Sequence, residues 1–138
     1  MKNELSELKC PCGSGNDYNN CCGKFHNTKS FPETAEELMR SRYSAFSKGL
    51  VDYLTITFHP DVRTKPDNRL SQAQVEQSTW LKLEIIKTSH GKKSDKTGKV
   101  EFRAYYINDT KVSIHHELSR FKKHNGIWYY IDGIIFKY

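Results

Sequence analysis

The chain has no cysteine outside residues 10–22, and no apolar run near the roughly 18 residues that a membrane-crossing helix needs. Residues 1–7 carry no apolar signal-peptide core, so the protein is expected to stay in the cytoplasm, with no membrane as partner. A collagen period, a coiled-coil composition, internal repeats and low-complexity tracts are all missing. No nucleophile elbow, glycine-rich phosphate loop or second cluster of metal ligands is visible, which removes the commonest signatures of hydrolases and nucleotide enzymes. Acidic residues are the scarcer charge, 16 against 22 Lys and Arg, which leaves a formal net charge of +6. Apolar residues make up only 36%, but seven Phe, two Trp and eight Tyr can fill a core with few side chains. A length of 138 residues fits one ordinary domain with a small appendage.

All four cysteines, Cys10, Cys12, Cys21 and Cys22, fall within this short N-terminal stretch. In a reducing compartment clustered thiols read as metal ligands rather than disulfides. Bridges within either close pair would also close strained rings. Zinc takes four thiolates tetrahedrally at about 2.3 Å, and two close pairs on facing turns can supply them. Gly13, Gly15 and Gly23 permit positive φ, so the backbone can wrap closely around a metal. A closed four-sulfur shell has no room for water, so one structural Zn2+ is expected rather than a catalytic one. His26, four residues beyond Cys22, is the rival for the fourth ligand position.

The pattern Cys-x-Cys-x-Ser-Gly followed by Cys-Cys-Gly resembles the SEC-C zinc motif of the C-terminal tail of the SecA translocation ATPase. Residues 37–45, containing Leu38, Met39, Arg40, Arg42 and Tyr43, resemble the signature of the YchJ-like bacterial family. His59, Pro60, Trp80, Leu81, His116, Glu117, Ser119, Phe121 and residues 128–133 match it as well. The resemblance implies a zinc module in front of a domain similar to nuclear transport factor two, a cystatin-like, cone-shaped sheet packed by helices. It also implies a protein partner for the zinc module, by analogy a chaperone, a translocation component or the ribosome. Lys9, Tyr18, Lys24 and Phe25 are the side chains expected to meet that partner. It implies no reaction.

Residues 1–30 are thus read as the zinc module, and residues 34–138 as the second domain. Thr34 and Glu37 make a capping box for a helix whose apolar face carries Ala35, Leu38, Met39, Ala45 and Phe46; Gly49 ends it. A shorter helix is expected over residues 51–57, and Ser71 with Gln74 caps another reaching about Trp80. From Leu83 onward the period becomes two, with a loop over residues 89–98 and a hairpin turn at Asn125 and Gly126. About four antiparallel strands follow the helices, an α+β order.

Arg42, Tyr43, His59, Glu101, Arg103, His116, Glu117 and Asp132 are the candidates for lining a pocket between sheet and helices. His116 with Glu101 could shuttle a proton in an isomerase or dehydratase, because imidazole titrates near neutrality. The competing reading makes Arg42 and the histidines members of structural hydrogen-bond networks. Lys87, Lys92, Lys93, Lys96 and Lys99 gather near one hairpin, and Arg120, Lys122, Lys123 and His124 near the next. Side by side they would suit RNA phosphates, but no aromatic residues are interleaved to stack on bases. The sequence therefore points to a non-enzymatic zinc-binding interaction protein. A pocket enzyme and an RNA- or ribosome-associated protein are the alternatives. Loss of zinc is expected to disorder residues 9–26 and leave residues 34–138 folded.

Overall fold

The period-two segments form one sheet whose strands follow each other in space as they do in sequence, β1 (Thr79–His90), β2 (Thr97–Asn108), β3 (Lys111–His124) and β4 (Ile127–Phe136). The computed structural model describes residues 8–137; residues 1–7, on which the export-signal expectation rests, lie outside them. Asn125 and Gly126 have φ of 53° and 81°, the paired positive values that let a two-residue turn follow the right-handed twist of β3 and β4.

Register decides what each strand residue faces. Val100, Phe102 and Ala104 of β2 point inward and are buried, so Lys99, Glu101 and Arg103 between them point outward. Phe102 pairs with Glu117 and Ala104 with His115, which brings Glu117 and His115 to the inner face. Arg103 pairs with His116, which carries His116 to the outer face.

Helices α1 (Cys22–His26), α2 (Ala35–Lys48), α3 (Val51–Ile56) and α4 (Gln72–Glu76) precede the sheet. Thr34 Oγ1 accepts the Glu37 N–H at 3.1 Å, as the sequence predicts. The other half of the box differs: the Glu37 carboxylate accepts the Glu33 N–H at 2.7 Å. The Ala35 N–H donates to the Gly91 carbonyl, tying the start of α2 to the β1–β2 hairpin. Gly49 terminates α2 with φ of 73°, and the Ser71–Gln74 box is complete at α4. Helix α4 stops at Glu76 rather than near Trp80. Trp80 belongs to β1, where it pairs with Tyr106 and packs against Tyr43, so tertiary pairing overrides the local helix signal.

Two apolar clusters hold the molecule together. The larger joins Leu38, Met39 and Tyr43 of α2 to Val100, Phe102, Phe121 and Trp128 of the sheet. Cys10, Cys12 and Cys22 belong to that same cluster. The smaller gathers Phe25, Ala45, Tyr53, Leu54 and Val75. Both clusters therefore include residues from the first 26 positions, and the cysteine segment is built into the core rather than hung beside it. Trp128, 1% exposed, also donates its Nε1–H to the Glu33 carbonyl at 3.0 Å, fastening the segment before α2 to β4.

Candidate metal centre and adjoining pocket

A tight backbone wrap brings the four cysteines together. Cys10 N–H donates to Asn16 O and Gly13 N–H to Cys10 O, with Gly13 and Gly15 at φ of 82° and 86°. Gly23 does not use that freedom. Its φ is not positive; it is needed because a Cβ there would sit 2.6 Å from the Tyr18 carbonyl oxygen. A turn at Tyr18–Asn20 then delivers Cys21 and Cys22 beneath Cys10 and Cys12.

The four Sγ atoms all lie within 4.8 Å of one another, a cluster that could hold a metal ion. Cys12 and Cys21 Sγ are 3.6 Å apart, Ser14 Oγ lies 3.2 Å from Cys21 Sγ, and Ser44 Oγ of α2 lies 3.5 Å from Cys10 Sγ. Cys10, Cys12 and Cys22 are buried, while Cys21 is half-buried. Hydrogen bonds from the Cys12 and Cys22 thiols hold Cys10 well below the usual thiol range. Cys22 is pushed up, chiefly as the partner of Cys10 and Cys12, and burial pushes Cys21 up. Sulfurs packed this closely resist joint ionisation, which a cation among them would relieve. Arg40 braces the wrap from α2, giving Nη1–H to the Cys12 carbonyl at 3.0 Å and Nε–H to Glu36 at 3.0 Å.

His26 is not a member of the cluster. Its Nε2–H donates to the Ser41 carbonyl at 2.8 Å, so its Nδ1 accepts from the Tyr18 hydroxyl at 2.5 Å. Burial lowers its pKa, consistent with a neutral ring serving as a strut between the wrap and α2. The surface expected for a partner is also corrected. Phe25 is buried in the smaller cluster, and Tyr18 is held by His26 and the Lys48 ammonium, 4.2 Å from its ring. Lys9 is exposed, Lys24 is half-buried, and the outward residues of the wrap are polar ones such as Ser14, Asn16 and Asn20.

The candidate pocket residues separate into four places. Arg42, Tyr43 and Glu117 line a cavity of about 440 Å³ between the inner sheet face and the helices. His116 and Glu101 do pair, Nε2 to carboxylate at 2.7 Å, but on the outer face, where Phe136 covers the imidazole at 4.3 Å between centroids. The acid–base reading of that pair is therefore corrected: a one-residue step along a strand reverses the face, and neither group lines the cavity. Arg103 is on the outer face too, 3.4 Å from Glu84. His59 borders a different hollow with Lys99 and Lys122, its Nδ1 accepting from the Asp61 N–H at 3.1 Å. Asp132 receives two 2.6 Å bonds from Arg120 and stays outside the cavity, with its pKa lowered chiefly by that guanidinium.

The basic hairpin tips are neighbours, since the Lys123 N–H donates to Lys96 O at 2.9 Å. Part of their charge is already engaged. Lys93 pairs with Glu33 at 2.9 Å, and Lys123 Nζ donates to Lys93 O at 2.5 Å. Among the described residues no helix is long and apolar enough to cross a membrane.

The family described as "YchJ, middle NTF2-like domain" matches residues 34–133. The chain belongs to the YchJ family. A UPF0225 protein of Vibrio parahaemolyticus is 46% identical over 124 residues, which is 90% of this chain and 73% of that protein. A UPF0225 protein of Haemophilus influenzae is 43% identical over 131 residues, 95% of this chain and 80% of that one. A SEC-C motif containing protein from Rhodopseudomonas palustris superposes with a TM-score of 0.82 at 34% identity, covering 93% of this chain and 98% of its own. Another, from Psychrobacter arcticus, gives a TM-score of 0.76 at 29% identity, covering 94% and 83%. Its nuclear-transport-factor-two-like sheet and its SEC-C cysteine cluster thus place this family member as the motifs suggest.

Several site residues lay beyond sequence reasoning. Arg40, Ser41 and Ser44 fall within the family signature of residues 37–45, but nothing in the sequence shows that Ser41 and Ser44 are buried and that Ser44 and Arg40 reach the cysteine wrap. Phe58, Trp80 and Tyr130 line the cavity beside Arg42 and Tyr43. Trp80 and Tyr130 were visible as family matches, but nothing local marks a strand aromatic as facing a cavity rather than a core.

Proposed function

We propose that the protein is a non-enzymatic, cytoplasmic interaction module in which Cys10, Cys12, Cys21 and Cys22 bind one structural zinc ion. The observation that carries this is the sulfur cluster itself, four Sγ atoms within 4.8 Å of each other with three of the cysteines buried. A tetrahedron of zinc–sulfur bonds of about 2.3 Å has edges of about 3.8 Å, and the Cys12–Cys21 separation is 3.6 Å. Four thiolates from the chain complete that shell, so the ion would supply folding energy rather than a site for substrate. The non-enzymatic reading is supported by the placement of His116 and Glu101 away from the cavity and by the full occupation of Glu117 within it.

The partner is a protein met by the exposed polar rim of the wrap, Ser14, Asn16 and Asn20 with Lys9, instead of by Phe25. The SEC-C likeness supports a chaperone, a translocation component or the ribosome as that protein. Elemental analysis should find one zinc per chain in the wild type and none in Cys12→Ser. Purified ribosomes and a purified export chaperone should then bind the zinc-loaded chain less tightly after Asn16→Arg and Asn20→Arg. Zinc retained at full stoichiometry in Cys12→Ser would refute the ligand set. Unchanged binding in the rim variants would refute the surface.

A further inference from the structure

Near the β1–β2 and β3–β4 hairpins the outer face of the sheet carries cations that the fold leaves without counter-ions. Lys99 pairs across the strands with Arg120, and Thr97 pairs with Lys122. The two pairs are two residues apart along their strands, so the four side chains leave one face from the corners of a rectangle of about 5 Å by 7 Å. Lys99 and Arg120, directly opposite each other, repel. Asp132 on β4 offsets Arg120, taking its Nε–H and Nη2–H at 2.6 Å each, while Arg120 Nη1 has no acceptor among the described residues. Lys99 and Lys122 make no hydrogen bond or ion pair among those residues.

These four residues line a hollow of about 610 Å³. Residues 59–62 form part of its wall, fixed along the edge of β4 by His59 N–H to Tyr130 O at 2.9 Å and by Tyr130 N–H to Thr57 O at 2.8 Å. The His59 ring is 3% exposed. Its Nδ1 accepts from the Asp61 N–H, so Nε2 carries the proton of the neutral ring, and that donor has no partner among the described residues. Burial lowers the His59 pKa; Asp61 raises it, and the charges of His124, Lys122 and Arg63 lower it further, the mark of an electropositive surrounding.

The acceptors here are unequal. Asp132 is spent on Arg120, whereas the Asp61 carboxylate, 80% exposed and 3.7 Å from His59 Nδ1, accepts no hydrogen bond among the described residues. Phe121 also lines the hollow but is 1% exposed, so it presents no ring face for stacking.

We infer that this hollow binds a phosphorylated polyol, its phosphate on Lys99, Lys122, Thr97 and Arg120 Nη1 and one of its hydroxyls donating to Asp61. The rectangle matches one phosphate group, and the volume leaves room for a body the size of a sugar. Asp61 asks for a hydroxyl donor and disfavours a second anionic group there. With Phe121 closed off, the hollow offers a nucleobase no broad aromatic wall, which disfavours nucleotides and RNA. The site shares no residue with the metal centre or with the rim proposed for a protein partner.

The test uses the full zinc-loaded chain, labelled with nitrogen-15, at fixed ionic strength, and follows the amide resonances of Gly98, Lys99 and Lys122. Glucose 6-phosphate should move them saturably. Inorganic phosphate should move the same resonances with weaker affinity, and glucose or added chloride should leave them still. Lys99→Gln combined with Lys122→Gln, both at exposed positions, should weaken glucose 6-phosphate ten- to hundredfold, the loss expected when charge-assisted hydrogen bonds go. Asp61→Ala should reduce the preference for glucose 6-phosphate over inorganic phosphate, because it removes only the acceptor for the hydroxyl. A response to chloride equal to that from glucose 6-phosphate would mean a screened basic patch and overturn the proposal. Unchanged affinity in the double lysine variant would overturn it too, as would a short single-stranded RNA that binds these residues more tightly than glucose 6-phosphate does.

Discussion

Removing the metal should unfold far more than the cysteine wrap. Cys10, Cys12 and Cys22 share the larger apolar cluster with α2 and the sheet, and Phe25 belongs to the smaller one. Released from its tether, the wrap would expose Phe25, whose burial contributes about 2–3 kcal/mol. It would also break the His26–Ser41 bond at about 1 kcal/mol and the Arg40–Cys12 bond at about 1.5 kcal/mol. The loss is then about 5 kcal/mol, a large share of the ~5–15 kcal/mol that a domain possesses. At about 4 °C per kcal/mol for a chain of this length, the Tm should fall by about 20 °C. The assay is a pair of melts, with and without a strong chelator, followed by near-ultraviolet dichroism of the buried Trp128. Hydrogen exchange should report the same cooperative loss at α2 amides as at residues 9–26. A domain melt that moves by no more than a couple of degrees, while residues 9–26 exchange freely, would refute the shared-core reasoning. That outcome would restore the expectation from sequence that residues 34–138 stand alone.

Gly23→Ala places a Cβ 2.6 Å from the Tyr18 carbonyl oxygen, and a backbone atom cannot swing aside. The expected cost is about 2 kcal/mol with weakened metal uptake, read by melting temperature and zinc stoichiometry; a neutral variant would show the wrap to be looser than described. Glu117 has a folded pKa below the ordinary glutamate value, so its contribution is complete above pH ~4.5 and is lost as the pH falls through the folded value. Glu117→Gln should therefore flatten the acid limb of a stability–pH profile below that point while lowering stability at neutral pH, and an unchanged limb would exclude the carboxylate as its cause.

Where the physics is local, the sequence was readable. The four cysteines, the Thr34 and Ser71 caps, the Gly49 stop and the Asn125–Gly126 turn all depend on neighbours within a few residues. The strand alternation was readable too, but not which face would be inner. That ambiguity is why His116 and Glu117, adjacent in sequence, both read as pocket candidates although the sheet sends them to opposite sides. Trp80 reads locally as the end of a helix because what holds it in β1 is its pairing with Tyr106, 26 positions away. His26 illustrates the same limit: its spacing suits a ligand, and only the distant Ser41 carbonyl shows it to be a strut.

By itself the sequence determined the order of elements and the set of sulfurs, because caps, turns, periodicity and ligand spacing are short-range constraints written in consecutive residues. Tertiary structure alone decided that the cysteine wrap joins both apolar clusters, that Phe25 turns inward, and that Arg42, Trp80 and Tyr130 line one aromatic cavity. Those facts depend on which surfaces meet when α2 settles on the sheet, a long-range packing outcome that no window of neighbouring residues encodes.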